Sequence, residues 1–183
     1  MIDAKEVLSL LEARRNVLLS GPPGTGKSLL LSEVAYLFAN RGTGSTPRYD
    51  PDAEVPIPPA ATSSLPGDIG KAKNRKVFRS VLHQSSKHRD FLTGMMPDVR
   101  KGKPAGSFRI TEGILYRASE FAKEPESAAL LIIDEINRGP TVQVFGGAIV
   151  AMEAEKRLGA DGKPTKNTQY FDLLNPEDGE LVE

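Results

Sequence analysis

The chain has 183 residues, with 24 basic and 24 acidic side chains, no cysteine and only two histidines. This length fits one domain with a sizeable core, and the absence of cysteine excludes disulfides, thiol chemistry and cysteine metal clusters. His83 and His88 alone argue against a zinc site.

The charge is unevenly distributed along the chain. Residues 71–111 carry eleven Lys or Arg against two acids, whereas residues 112–183 carry fourteen acids against seven bases. A basic middle could face nucleic acid, nucleotide phosphate or the acidic face of a neighbouring subunit, or could simply be a solvated loop. The N-terminus has acids where a signal peptide would be basic, and no apolar run has membrane-spanning length. We therefore expect a soluble, cytoplasmic protein without a membrane partner.

The first predicted elements surround a glycine-rich turn. Asp3 is expected to cap a helix that ends near Arg15. The apolar run that follows predicts a strand over 16–20, and apolar residues at helical spacing predict a helix after the turn that continues to Arg41. Six prolines lie between residues 47 and 66, so residues 43–74 are predicted to form a long surface insertion.

The middle of the chain alternates predicted strands and helices. Residues 76–84 are rich in β-branched and aromatic side chains, which favours a strand. We then expect a short helix or turn that packs Phe91 and Leu92, a flexible basic loop over 100–106, and a helix over 112–123. Residues 128–133 are six consecutive apolar residues, a pattern typical of a buried parallel strand.

The last predicted elements are a helix and a hairpin-like tail. Pro140 suits the first turn of a helix that carries Phe145, Ile149 and Met152 on one face. Two glycines inside this helix, Gly146 and Gly147, would each cost about 1 kcal/mol relative to alanine, which indicates close packing against another backbone. Residues 157–183 are expected to form the tail, with turns at 160–163 and 175–179.

The turn after residue 20 has the composition of a phosphate-binding loop. Gly21, Gly26, Lys27 and Ser28 fit the pattern G-x-x-x-x-G-K-[ST], between a predicted strand and a predicted helix. Glycine lets the backbone approach phosphates, the amides and the helix N-terminus attract anions, lysine adds a cation, and the Ser28 hydroxyl could bind Mg²⁺. The nucleotide-binding residues predicted here are Gly21, Pro22, Pro23, Gly24, Thr25, Gly26, Lys27, Ser28 and Leu29.

A pair of acids follows the predicted strand 128–133. Asp134 is placed to hold Mg²⁺ through water, and Glu135 to orient and deprotonate an attacking water. Acids at strand ends can also serve only as helix caps, and Asp134-Glu135 could do so here. The phosphate loop upstream favours the catalytic interpretation, with Lys27 and Glu135 as catalytic residues and Ser28 and Asp134 as metal ligands.

These segments resemble a known family. The phosphate loop, HQSSKHRDFLTGMMPD from His83, and IIDEINRGPTVQVFGGAIVAMEAEKR from Ile132 are similar to the AAA+ module of the McrB, MoxR and dynein-related group, above all to McrB-type motor subunits of modification-dependent restriction systems. The resemblance implies an α/β fold, namely a P-loop NTPase (AAA+) three-layer sandwich with a parallel sheet. It also implies a hexameric ring with nucleotide at subunit interfaces. Arg138 matches the arginine of the family's DEINR and could reach the neighbour's nucleotide, or could pair locally with Glu135.

The chain covers only part of the AAA+ module that it resembles. The family's sensor strand, fifth strand, arginine finger and helical lid have no counterpart before Glu183, so we expect an incomplete module over 1–183. Poor hydrolysis by the isolated chain follows, because an arginine finger contributes about 10³-fold or more to related reactions.

The sequence is compatible with two functions. The first is a Mg²⁺-dependent ATPase, or a GTPase as in McrB-type motors, that drives DNA translocation or protein remodelling, with a nuclease or other effector subunit as partner. The second is a non-catalytic nucleotide-binding or interaction module. The phosphate-loop pattern indicates binding of phosphates and does not identify the nucleotide base, so ATP is the default prediction and GTP the alternative. The basic stretch could contact DNA, and Phe91, Met95 and Met96 could face a ring pore or pack in the core.

Overall fold

The structure is a computed structural model that describes residues 2–40, 71–104, 106–159, 163–171, 173–174 and 181–182. The predicted insertion lies outside the described residues except for 71–74, and so do residues 160–162 and 175–179 of the predicted turns. The chain divides into two compact units, residues 1–79 with 118–134 and residues 80–117 with 135–183.

The helices and strands follow one another in this order: α1 (Ala4–Arg14), α2 (Lys27–Ala39), β1 (Asn74–Val81), α3 (His88–Phe91), β2 (Thr93–Pro97), β3 (Phe108–Glu112), α4 (Ile114–Lys123), β4 (Ser127–Asp134), α5 (Thr141–Phe145), α6 (Ala148–Ala151), β5 (Leu173–Leu174) and β6 (Leu181–Val182). Short 3₁₀ turns cover Ile136–Arg138 and Ala154–Lys156. In the part of the chain that the structure describes, no helix has the length and hydropathy needed to cross a membrane.

The first unit begins with the predicted capped helix. The Asp3 carboxylate accepts the Glu6 N–H at 2.8 Å, and the Glu6 carboxylate accepts the Asp3 N–H at 2.9 Å. This reciprocal pair satisfies two amides that the first turn of a helix leaves without partners, and the predicted cap is confirmed. Helix α2 also confirms its prediction, although it ends at Ala39, with Asn40 as its C-cap.

Strands β1 and β4 form a parallel pair. The N–H groups of Lys73 and Asn74, where β1 starts, donate to the carbonyl of Glu126, directly before β4. Helix α2 packs on β4 in a core that also includes α1. The buried members of this core are Ala4, Val7, Leu8, Val34, Ala35, Phe38, Leu130 and Ile132. The predicted α/β class with parallel strands is therefore confirmed, whereas the three-layer AAA+ sandwich stays a prediction.

The prediction of a strand over 16–20 was wrong. These residues have no regular secondary structure, and no described strand pairs with them. A strand is defined by hydrogen bonds to a neighbour, so an apolar run without a paired neighbour does not become one. Leu19 still packs against the core of the first unit.

The second unit contains an antiparallel hairpin that the sequence did not predict. Strands β2 and β3 pair from Thr93 opposite Glu112 to Pro97 opposite Phe108. The predicted short helix is confirmed as α3, and the ring of Phe91 packs against that of Phe145, with centroids 5.2 Å apart. Because Glu112 ends β3, helix α4 begins two residues later than predicted, at Ile114.

Three further boundaries differ from the sequence predictions. Strand β1 covers 74–81 instead of 76–84, because His83 and Gln84 lie in the turn that the Ser86 N–H closes onto His83. The predicted single helix after Pro140 was wrong, since it is split into α5 and α6 at Gly146, which has φ +50°. Strands β5 and β6 pair antiparallel in the tail.

Candidate nucleotide site

The phosphate-loop segment has the backbone conformation that its glycines predict. Gly24 has φ +78° and Gly26 has φ +80°, both in the left-handed region that glycine adopts without a steric penalty. A Cβ added at either glycine would meet no atom within 4 Å. The two positions therefore need glycine for their conformation, and they leave open space beside the backbone.

Helix α2 starts directly at Lys27, with Gly26 as its N-cap and no side chain capping its first turn. The first amides of a helix have no acceptors within the helix, and they carry the positive end of its dipole. In α2 these amides belong to Lys27, Ser28 and Leu29, and the last two residues are exposed. The start of α2 is thus open to an anion.

The Lys27 ammonium group lies over the loop. It donates to the carbonyl of Gly21 at 2.7 Å and to that of Pro22 at 2.8 Å. The Thr25 hydroxyl also donates to the Pro22 carbonyl, at 2.8 Å, which closes the loop on itself. Gly21, Pro22 and Pro23 are exposed, so the loop and its cation face solvent.

Two hydrogen bonds link Ser28 to β1 through Ser32, which lies one helical turn further along α2. The Ser32 hydroxyl donates to the Ser28 carbonyl at 3.0 Å, and the Arg79 guanidinium donates to the Ser32 hydroxyl at 3.2 Å. Arg79 is the residue of this region that the sequence analysis missed. Its place in a predicted strand gave no sign of a contact with α2.

Asp134 is the last residue of β4 and is half-buried. It belongs to the same compact unit as the phosphate loop, and α2, which begins with Lys27 and Ser28, packs on β4. The structure thus places the two predicted metal ligands on two elements that pack together. Their roles as ligands remain a prediction.

Glu135 and Arg138 form an ion pair in the second unit. The Arg138 Nε lies 2.9 Å from a Glu135 carboxylate oxygen, with both side chains exposed. Glu135 has φ +52°, a left-handed conformation that is strained for a residue with a Cβ. The 3₁₀ turn that follows brings Arg138 back, with its N–H donating to the Glu135 carbonyl at 2.8 Å. The local pairing that the sequence left open is the one present here.

The described residues include no cluster of three or more His, Asp or Glu side chains that could hold a metal ion. A nucleotide-bound Mg²⁺ does not need one, because it keeps several waters and is held by one or two protein oxygens and by phosphates. The predicted donor set, the Ser28 hydroxyl and the Asp134 carboxylate, has the chemistry that suits that kind of ion, and the open loop with its ammonium group fits the phosphates.

The chain is 30% identical over 152 residues to the Type IV methyl-directed restriction enzyme EcoKMcrB subunit of Escherichia coli strain K12. Over most of its length the chain is similar to this subunit. The matched residues are 82% of the chain but 25% of the relative, so the chain spans about a quarter of the relative's length. No protein-family model matches the chain. The similarity supports the McrB-like resemblance found in the motifs.

Proposed function

We propose that the chain is the nucleotide-binding part of an McrB-like AAA+ motor that hydrolyses a nucleoside triphosphate with Mg²⁺. The observation that carries the proposal is the Lys27 ammonium group held over an open loop, at the start of a helix whose first amides have no internal acceptors. The similarity to a restriction-enzyme subunit supports it.

The residues of the site would have separate roles in binding phosphates, holding the metal and accepting a proton. The amides of Gly24 to Leu29 would bind phosphate oxygens, and Lys27 would exchange its two carbonyl acceptors for the β- and γ-phosphates. Ser28 and Asp134 would hold Mg²⁺, directly and through water respectively. A bound Mg–nucleotide supplies the reactive phosphoryl group and the charge of the metal. Glu135 would accept a proton from water, for which its carboxylate has to leave Arg138.

The proposal also includes the nucleotide, the assembly of subunits and the substrate of the motor. We propose ATP as the nucleotide with GTP as the alternative, a ring of subunits, and an effector such as a nuclease. Because the relative is named as a methyl-directed restriction enzyme, DNA is the favoured substrate over a protein to be remodelled. Arg138 is proposed to turn to a neighbour's nucleotide in the ring.

The test is the binding of a fluorescent nucleotide analogue to Lys27→Ala. We expect the variant to lose Mg²⁺-dependent binding, because the loop loses the only side-chain cation of the motif. Lys5→Ala is the matched control, since Lys5 is an exposed lysine of α1 in the same unit. Thermal unfolding of both variants checks that the fold is retained. Binding by Lys27→Ala as strong as that of the control would overturn the proposal.

A second binding assay addresses the choice of nucleotide. Calorimetric titration of the unsubstituted chain with ATP and with GTP, each with Mg²⁺, gives two dissociation constants that can be compared directly. Tighter binding of ATP agrees with the default stated above, and tighter binding of GTP selects the alternative.

A further inference from the structure

The hairpin formed by β2 and β3, residues 93–112, presents an apolar face to solvent. In its register Met95 lies opposite Ile110, and Pro97 lies opposite Phe108, so these side chains share one face. Met95 is 59% exposed and Phe108 66% exposed, and Val99, just beyond the end of β2, is 91% exposed. Exposed apolar groups that lie next to one another indicate a surface used for binding.

The same hairpin is strongly basic. Arg100, Lys101, Lys103 and Arg109 are all exposed. Asp98 is the sole acid of the sequence between residues 93 and 111, and its side chain is only 4% exposed. The exposed charge of residues 93–111 is therefore entirely positive, and the exposed acid Glu112 lies at the end of the hairpin away from the tip.

Asp98 fixes the shape of the hairpin tip. Its carboxylate accepts two hydrogen bonds from the Arg100 guanidinium, at 2.8 and 2.6 Å, and one from the Arg100 N–H at 3.2 Å. The Asp98 N–H in turn donates to the Ser107 carbonyl at 2.8 Å, across the two ends of the tip. The bidentate pair uses the charge of Arg100 inside the tip and leaves Lys101 and Lys103 as the tip cations that a ligand on the Phe108 face would meet. Arg109 follows Phe108 in β3 and lies on the opposite face of the hairpin.

We infer that this hairpin binds single-stranded nucleic acid, with Lys101 and Lys103 on phosphates and the Phe108 ring stacked on a base. Positive side chains interleaved with an exposed aromatic ring are what proteins use to hold a single strand without reading its sequence. A purely apolar docking surface would not need the cations, and a purely electrostatic one would not expose Phe108. The inference rests on the proposed function in taking nucleic acid as the substrate of the motor.

The test is the binding of a fluorescein-labelled oligothymidylate of about 20 nucleotides, longer than one small domain covers. It is measured without nucleotide at several salt concentrations. Two phosphate contacts predict that the logarithm of the affinity falls with the logarithm of salt with a slope of about −1.4. Lys101→Glu combined with Lys103→Glu should bring this slope close to zero and weaken binding at low salt. Phe108→Ala should weaken binding by about 5- to 150-fold, whereas Phe108→Tyr should retain it.

The control is Lys163→Glu combined with Lys166→Glu, which makes the same change of net charge at two exposed lysines outside the hairpin. This variant should bind as the unsubstituted chain does. Equal weakening by the hairpin variant and the control, no effect of Phe108→Ala, or no binding by the unsubstituted chain at low salt would each overturn the inference. Binding of an acidic apolar peptide in place of the oligonucleotide would assign the surface to a protein partner.

The outcome is independent of the nucleotide test. Lys27→Ala should bind the oligonucleotide as the unsubstituted chain does, because Lys27 belongs to the phosphate loop and not to the hairpin. Loss of oligonucleotide binding in the hairpin variants with intact nucleotide binding would separate the two surfaces. Failure of the hairpin test alone would leave the proposed nucleotide site standing.

Discussion

Glu135 stands at the point where the chain turns out of β4. Its left-handed backbone is unusual for a glutamate, and its carboxylate is paired with Arg138 in the adjacent 3₁₀ turn. An exposed ion pair of this kind contributes at most about 1 kcal/mol, so it can be exchanged for another partner at little cost. A carboxylate that gives up such a partner becomes available to water, as the proposed role of Glu135 requires.

Glu135→Gln tests that role. The amide keeps the size and hydrogen-bonding capacity of the side chain but cannot take a proton. We expect nucleotide binding within about twofold of the unsubstituted protein and a loss of hydrolysis of about 10² or more. The measurement is phosphate release, compared between the variant and the unsubstituted protein under the same conditions. Glu155→Gln, at an exposed position in the second 3₁₀ turn, is the control; unchanged hydrolysis by Glu135→Gln would remove Glu135 from the mechanism.

Asp98 has an effect on stability that depends on pH. Hydrogen bonds from Arg100 lower the pKa of the Asp98 carboxyl well below its usual value, more than partial burial raises it. A group whose pKa is lower in the folded state stabilises the fold above the unfolded-state pKa, about 3.9 for aspartate. That contribution is lost as the pH falls through the folded-state pKa.

Asp98→Asn should therefore unfold at a lower urea concentration than the unsubstituted chain at pH 7. The difference between the two midpoint urea concentrations should become smaller below about pH 4. Urea titrations followed by circular dichroism at several pH values give the two curves. Asp90→Asn changes an aspartate in the same unit, one whose carboxylate accepts the Lys87 N–H. If Asp98→Asn and the unsubstituted chain unfolded at the same urea concentration at pH 7, the carboxylate would not stabilise the tip. The same would follow if the difference between them grew as the pH was lowered.

At the scale of elements, some predictions succeeded because a single local pattern decided them. Residues 128–133 are uniformly apolar, and β4 covers 127–134. Asp3 and Glu6 have the spacing of a capping box, and α1 begins at Ala4. Gly24 and Gly26 of the phosphate loop have the positive φ that glycine at these positions predicts.

Other elements could not be predicted because tertiary pairing decided them. Residues 16–20 have the apolar character of a strand but no paired neighbour among the described strands. Strand β2 contains two methionines and Pro97, none of which favours a strand, and it exists because β3 returns alongside it. The ion pair of Glu135 with Arg138 depends on a 3₁₀ turn that the sequence does not indicate.

Gly146 shows why the helix after Pro140 is divided. The spacing of Phe145, Ile149 and Met152 is helical, yet Gly146 has φ +50° and ψ −131°, a region open to glycine and costly for other residues. A Cβ there would also lie 3.2 Å from the His88 ring, whose Nδ1 is 3.1 Å from the Val144 carbonyl. The break between α5 and α6 is thus set by backbone conformation and by close packing against α3.

Gly146→Ala should accordingly lower the free energy of unfolding by about 1–3 kcal/mol. Val142→Ala is a suitable control, because Val142 lies on the same short helix but is 74% exposed. Denaturant titrations of both variants give the comparison. If Gly146→Ala were as stable as the control, or more stable, the helix would run through residue 146 as the sequence pattern suggested.

For the whole molecule, the chemistry of the candidate site is easier to predict from the sequence than its surroundings are. The phosphate loop and the acids after β4 were found from motifs about a hundred residues apart, and the structure puts the loop and Asp134 in one compact unit. The ring, the effector subunit and the trans role of Arg138 concern other chains. They rest on the resemblance and on a relative of which this chain spans about a quarter.

The central claim is that Ser28 and Asp134, on two elements that pack together, hold one Mg²⁺ on a nucleotide in the phosphate loop. The most direct test is a crystal structure of the chain with Mg²⁺ and a non-hydrolysable triphosphate. We expect the Ser28 hydroxyl on the metal, the Asp134 carboxylate joined to it through water, and Lys27 on the terminal phosphates. A nucleotide bound elsewhere, or a metal contacted by neither Ser28 nor Asp134, would contradict the account.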